Sequence, residues 1–269
     1  MIKLIASDMD GTLLNDRKEL PGDFFEVFDE LERRGIKFTV ASGRSFDAVA
    51  HLFPEEYRTR LDFICDNGAN VIHEGKQVSV TPLDRPTFEQ LIRACEDIGG
   101  LRILVCAGRG TYHLTADAEF SAEIAKYYKN HIPCDDLLSV DDVIYKLAVC
   151  DMKGTQQHAK PAIDAIFGDR LNVQVSGPIW MDVMGAGVSK GSALRALGKH
   201  LGISADDTMA FGDFYNDADM LKYAGWSFAM ENGNPDIKRM TRFLARSNNE
   251  NGVLRAIRQY ALQEDSIKQ

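Results

Sequence analysis

Asp8 and Asp10 stand where an apolar run, Ile2 to Ala6, gives way to the turn-forming pair Gly11-Thr12. Two apart on a regular strand, they would share a face. Burying neighbouring carboxylates is costly unless positive charge joins them, so the pair asks for a metal ion, a cationic side chain, or both. Three later clusters could supply the partners: Ser42-Gly43-Arg44, Lys190, and Gly212-Asp213-Phe214-Tyr215-Asn216-Asp217. Asp8 and Asp213 offer hard oxygen ligands to Mg2+. Ser42 brings a hydroxyl, and Gly43 a backbone N–H with no side chain in the way. Lys190, near an expected helix start, adds a point charge to a site that the helix dipole already favours for anions. Such a set suits phosphoryl transfer. Asp8 would attack phosphorus in line and become an aspartyl-phosphate. Asp10 would protonate the leaving oxygen and then deprotonate the hydrolytic water, which calls for a raised pKa.

Bringing these clusters together needs a particular scaffold. Short apolar runs ending at polar turns read as buried parallel strands, the first opening at Ile2 and climbing to the two aspartates, the others at 36–41, 61–65, 208–211, 226–230 and 243–245. Helices are expected between them, at 21–34, 46–52, from Ser189 as N-cap to about Leu201, up to Ala224, at 234–240 and at 252–263, with a polar, frayed tail after Glu264. Residues 70–72 and 77–81 read as a hairpin. From about Leu83 to Met184 the rhythm changes to helices (88–98, 118–130, 158–167) mixed with hairpin strands (102–106, 111–114, 144–150, 172–176, 180–183). The expected fold is α/β: a doubly wound, parallel, Rossmann-like sheet formed by 1–82 and 185–269, with an inserted α+β module at 83–184. In open α/β sheets, strand tips converge on one crevice, where the four clusters would meet.

The chain of 269 residues is 45% hydrophobic and 26% charged, enough for one large domain or two. A net charge of −9 argues against nucleic acid or an anionic membrane as partner. No apolar run approaches membrane-spanning length. The five cysteines are scattered, with no C-x-x-C pair, so neither a disulfide framework nor a zinc site is expected, and a reducing cytoplasm is the default.

Asp8-Met9-Asp10-Gly11-Thr12, Ser42-Gly43-Arg44, Lys190 and Gly212 to Asp217 resemble, in this order, the four motifs of the haloacid dehalogenase-like superfamily. Leu13-Leu14, Val188-Ser189-Lys190-Gly191, Ala229-Met230 and Asn251-Gly252-Val253 resemble its Cof-type (class IIB) phosphatases. The resemblance implies Asp8 as nucleophile and Asp10 as acid/base. It implies Mg2+ held by Asp8, the backbone carbonyl of Asp10 and Asp213. Phosphate would be held by Ser42, Gly43, Lys190 and Asn216, with Met9 among the substrate-binding residues and Asp217 behind them. The insertion lies between the serine and lysine motifs, which matches a C2-type cap. The expected substrate is a small phosphomonoester, a sugar phosphate or phosphorylated cofactor, handled by a monomer or weak homo-oligomer. A phosphomutase of the same chemistry and a non-catalytic phospho-aspartate module are the alternatives. Arg44 is expected to brace its loop, and Asp66-Asn67 to form a turn. In the insert, Arg109, His113, Trp180 and Asp182 are candidates for substrate contact to which no role is assigned.

Overall fold

The computed structural model describes residues 1–115, 118–128 and 130–263. The chain runs β1 (Leu4–Asp8), α1 (Phe24–Arg33), β2 (Lys37–Ala41), α2 (Phe46–Ala50), α3 (Glu55–Arg58), β3 (Asp62–Cys65), β4 (Asn70–His73) and β5 (Lys76–Val80). There follow α4 (Arg85–Ile98), β6 (Leu101–Ala107), β7 (Gly110–Leu114), α5 (Ala118–Tyr127), β8 (His131–Cys134), β9 (Ile144–Asp151), α6 (Ala159–Phe167), β10 (Leu171–Val175) and β11 (Trp180–Gly185). The last stretch is α7 (Lys190–Leu201), β12 (Thr208–Gly212), α8 (Ala218–Tyr223), β13 (Trp226–Met230), α9 (Pro235–Met240), β14 (Phe243–Ala245) and α10 (Gly252–Ala256), extended by one π turn. The tail after Glu264, and Lys129 of the expected helix 118–130, lie outside the described residues.

Eight strands form one sheet in the order β14-β13-β12-β1-β2-β3-β4-β5. The six from β14 to β3 are parallel, and β4 and β5 close one edge as an antiparallel hairpin. The chain winds outward from β1 through β2 and β3, then returns to the other side of β1 as β12. Strand order therefore reverses between β1 and β12, the switch point at whose carboxyl ends α/β sheets place their ligands. Alternation within β1 fills both faces. Ile5 packs with Phe38, Phe211 and the α1 residues Phe24, Phe28 and Leu31, while Leu4 and Ala6 pack with Ala193, Leu194 and Leu197 of α7.

The other six strands form a second, mostly antiparallel sheet, β10-β11-β9-β6-β7-β8, with its own apolar core around Phe88, Leu91, Val105, Leu147 and Ile163. The short helix α3 is absent from the sequence reading, and β8 and the end of β1 depart from it. β8 pairs in parallel with β7 although its sequence, His-Ile-Pro-Cys, holds Pro133. As the outermost strand of its sheet it tolerates a residue that cannot donate to the ladder, and that same proline conceals the strand from sequence patterning. And β1 ends at Asp8, so Asp10 lies in the following turn rather than on the strand face.

Candidate active site

Asp8 closes β1 and Asp213 follows β12, side by side across the switch point. Gly11 makes that approach feasible: it has φ +83°, and a Cβ there would lie 2.5 Å from Asp213 Oδ2. Thr12 donates to Asp213 Oδ1 at 3.1 Å. Lys190 arrives from the first residue of α7. Ser189 caps that helix by accepting from the Ser192 N–H, and Ser192 returns the bond to the Ser189 N–H, so the expected cap is present as a reciprocal capping box. The fully buried Lys190 ammonium donates to Asp8 Oδ1 at 2.5 Å and to Asp217 Oδ1 at 2.7 Å. Asp217 Oδ2 also accepts from the backbone N–H groups of Asp213 and Phe214, at 3.0 and 3.1 Å.

Oxygens of Asp8, Asp213 and Asp217 lie within 4.8 Å of one another. Three carboxylates thus face one ammonium. Burial drives the Asp8 carboxyl well above its ordinary range; Lys190 opposes the rise, and Asp217 and Asp213 reinforce it. Burial, then Asp217, pushes Asp213 up to about 6 against the Thr12 hydrogen bond. On the lysine side burial disfavours the charge, but Asp217 and Asp8 outweigh it and raise the Lys190 pKa. The cluster is short of positive charge and rich in hard oxygen, so its donor set fits a divalent cation such as Mg2+. Asp217, with Lys190 and two N–H groups already on it, orients the lysine and the 213–214 backbone.

Asp10 departs from expectation. Its carboxylate is outside that cluster and pairs with Arg44 at 2.6 Å and Lys18 at 2.8 Å. Burial alone would raise its pKa, yet Arg44 and Lys18 outweigh burial and lower it, so this arrangement does not supply the raised pKa expected of an acid. Arg44 therefore braces Asp10 rather than only its own loop. The Met9 side chain is buried in the apolar core, which leaves only its backbone for any substrate contact.

Asp8, Asp10, Ser42, Gly43, Asp213 and Asn216 line one cavity of about 780 Å3, together with Lys18, Arg44 and Lys146. Lys190 is buried behind Asp8 instead of lining it. The far wall comes from the insert, where Tyr128, Pro178, Ile179 and Trp180 form an aromatic and apolar face. Of the four insert residues considered from sequence, Trp180 and Asp182 line this cavity. Arg109 pairs with Asp142 and His113 meets His131, and neither is part of the lining. Sequence reasoning missed Lys146 altogether. A lone lysine within the apolar strand Ile-Tyr-Lys-Leu-Ala-Val was the available signal.

Asp66 and Asn67 do form the expected turn, with left-handed φ values of 52° and 53°. Both Asp66 oxygens are buried without a hydrogen-bond partner among the described residues. Burial pushes its carboxyl up to about 7; Lys146 pulls the other way, and Asp182 and Asp47 add to the rise. A folded-state pKa above the unfolded value means that the folded protein keeps a proton the unfolded chain releases between about pH 4 and 7. That stability is present at low pH and lost as pH rises through about 7. Asp66→Asn should therefore raise the melting temperature by several degrees at pH 8 and change it little at pH 5, as paired thermal melts would read.

A sequence profile described as haloacid dehalogenase-like hydrolase matches residues 5–257. A 5-amino-6-(5-phospho-D-ribitylamino)uracil phosphatase of Escherichia coli is 31% identical over 258 residues, covering 95% of each chain. An HMP-PP phosphatase of Klebsiella pneumoniae is 28% identical over 239 residues, covering 88% of this chain and 87% of its own. Among solved structures, one from Streptococcus mutans superposes with a TM-score of 0.90 at 28% identity, covering 97% of this chain and 100% of the other.

Proposed function

The chain belongs to the haloacid dehalogenase-like hydrolases, as a phosphatase, and from that premise we propose that it hydrolyses small phosphomonoesters with Mg2+ through an aspartyl-phosphate on Asp8. The observation that carries the reading is the convergence on one cavity of Asp8, backed by Lys190, with Asp213, Ser42, Gly43 and Asn216. Asp8 and Asp213 would hold the metal with the Asp10 backbone carbonyl, and the ion would supply the positive charge that lets one anion approach another. Lys190 aims the Asp8 carboxylate and opposes the rise in its pKa that burial causes. Ser42, the Gly43 N–H and Asn216 would hold the phosphoryl oxygens. Asp10 would give its proton to the leaving oxygen and later take one from water. For that acid step its pairing with Arg44 and Lys18 has to loosen when an ester binds, because both cations favour the charged form.

Residues 83–184 we read as the C2-type cap, with 1–82 and 185–269 as the catalytic core. The aromatic and apolar wall around Trp180 and Pro178 suits a leaving group that carries a ring or hydrocarbon face. A phosphorylated sugar or cofactor meets that description, as does a phosphoribityl-pyrimidine of the kind named for the relative from E. coli. A cytoplasmic setting suits the five free cysteines.

Release of inorganic phosphate across a panel of sugar phosphates, nucleotides and phosphorylated cofactors, with Mg2+ and with EDTA, tests the reading. At least one ester should turn over, with activity falling at least about a hundredfold on chelation. No release from any member, or release indifferent to EDTA, would refute it. Recovery of the phosphate on a second hydroxyl instead of in solution would mark a mutase.

A further inference from the structure

We propose that Lys146 and Asp182 are positioning residues for the hydrolysis and that, with Asn67, they relay the seating of the inserted sheet to the groups that hold phosphate: the Ser42-Gly43 turn and Asn216. The inference rests on the phosphatase reading above. Lys146 on β9 and Asp182 on β11 are charged groups 2% and 4% exposed, on neighbouring strands of the insert. Burial of an ion pair is rarely a net gain in stability, so its retention asks for another role. Lys146 Nζ donates to Asp182 Oδ1 at 2.8 Å and, across to the other sheet, to the Gly43 carbonyl at 2.7 Å. The N–H of that same peptide unit, on Arg44, donates to Ser42 Oγ at 3.1 Å. Lys146 thus polarises the peptide that fixes Ser42. The hydroxyl accepts there and keeps its own proton to donate to a phosphoryl oxygen.

The second arm runs through amides. An ionised Asp182 only accepts, so its Oδ2, 2.7 Å from Asn67, turns the Nδ2 end of that amide toward itself. Asn67 Oδ1 is then presented as an acceptor to Asn216, whose Nδ2 lies 3.2 Å away. The carboxylate in the insert therefore sets the direction of an amide it does not touch. Gly43 is part of the fit, because a Cβ there would lie 3.1 Å from Asn67 Oδ1.

Asp182→Asn keeps the shape but ends the acceptor-only character. Turnover of p-nitrophenyl phosphate should fall at least about tenfold in kcat, and inhibition by orthovanadate should weaken by a similar factor. With 15N-asparagine labelling, the side-chain amide signals of both Asn67 and Asn216 should shift. A paired Lys146→Met/Asp182→Leu variant replaces the ion pair by apolar groups, which tends to leave folding intact. Its kcat should stay depressed, whereas a pair that serves stability alone would return wild-type kinetics. Unchanged kcat, vanadate inhibition and Asn216 signals in Asp182→Asn would overturn the relay. Should the wild type release no phosphate, the phosphatase reading fails instead, and the Asn216 signals alone decide whether the relay exists.

Discussion

Asp8→Asn should abolish phosphate release, by a factor of at least about 10^4, and leave a folded protein. The amide keeps the size of the carboxylate and cannot act as the proposed nucleophile. Its effect on stability has the opposite sign from the usual buried polar substitution. Burial, Asp217 and Asp213 all disfavour charge on Asp8, so a neutral group there relieves the cluster while Lys190 keeps Asp217 as partner. Without Mg2+ the variant should melt no lower than the wild type at pH 7.5. Added Mg2+ should stabilise it less than it stabilises the wild type, because one oxygen ligand has gone. A release assay with two melts reads all three outcomes. Residual turnover above about a hundredth of the wild type would remove Asp8 from the nucleophile's role.

Lys190→Met should be the most damaging single substitution to folding. The methionine fits the volume, but Asp8, Asp213 and Asp217 are left facing one another with no cation among them. Removing one partner from a buried ionic cluster costs about 3–5 kcal/mol. For a chain of this size that is a fall of about 10 °C in melting temperature. Hydrolysis should drop at least about a thousandfold, because Lys190 both aims the proposed nucleophile and opposes its protonation. Lowering the pH toward 5 should return part of the lost stability, since protonation then relieves the uncompensated carboxylates. A variant as stable as the wild type at pH 8 would show that the lysine does not compensate these charges.

Much of this site is legible in the chain because its chemistry is concentrated in short, ordered words at strand tips. Asp8, Ser42 and Asp213 can be placed by recognising buried parallel strands, since the end of such a strand is a fixed location in the fold. The capping of α7 by Ser189 is equally local, a matter of four residues. What escapes is pairing across distance. That Arg44 and Lys18 close on Asp10 depends on how two loops fold over each other, and no spacing encodes it. That Lys146 and the candidate Asp182 pair with each other shows only once their two strands are assembled side by side. β8 is obscured by Pro133, which only its edge position permits.

Among the described residues, only two stretches of polypeptide pass from one sheet to the other, between β5 and α4 and between β11 and α7. Heredity can therefore edit the wall around Trp180 without re-solving how four acidic and basic groups are gathered beneath it. A lineage built on this plan would diversify by redecorating the inserted sheet while the acidic cluster stands still. Because α7 starts just beyond the second junction, any redecoration that alters the length there would also shift the lysine on which Asp8 depends.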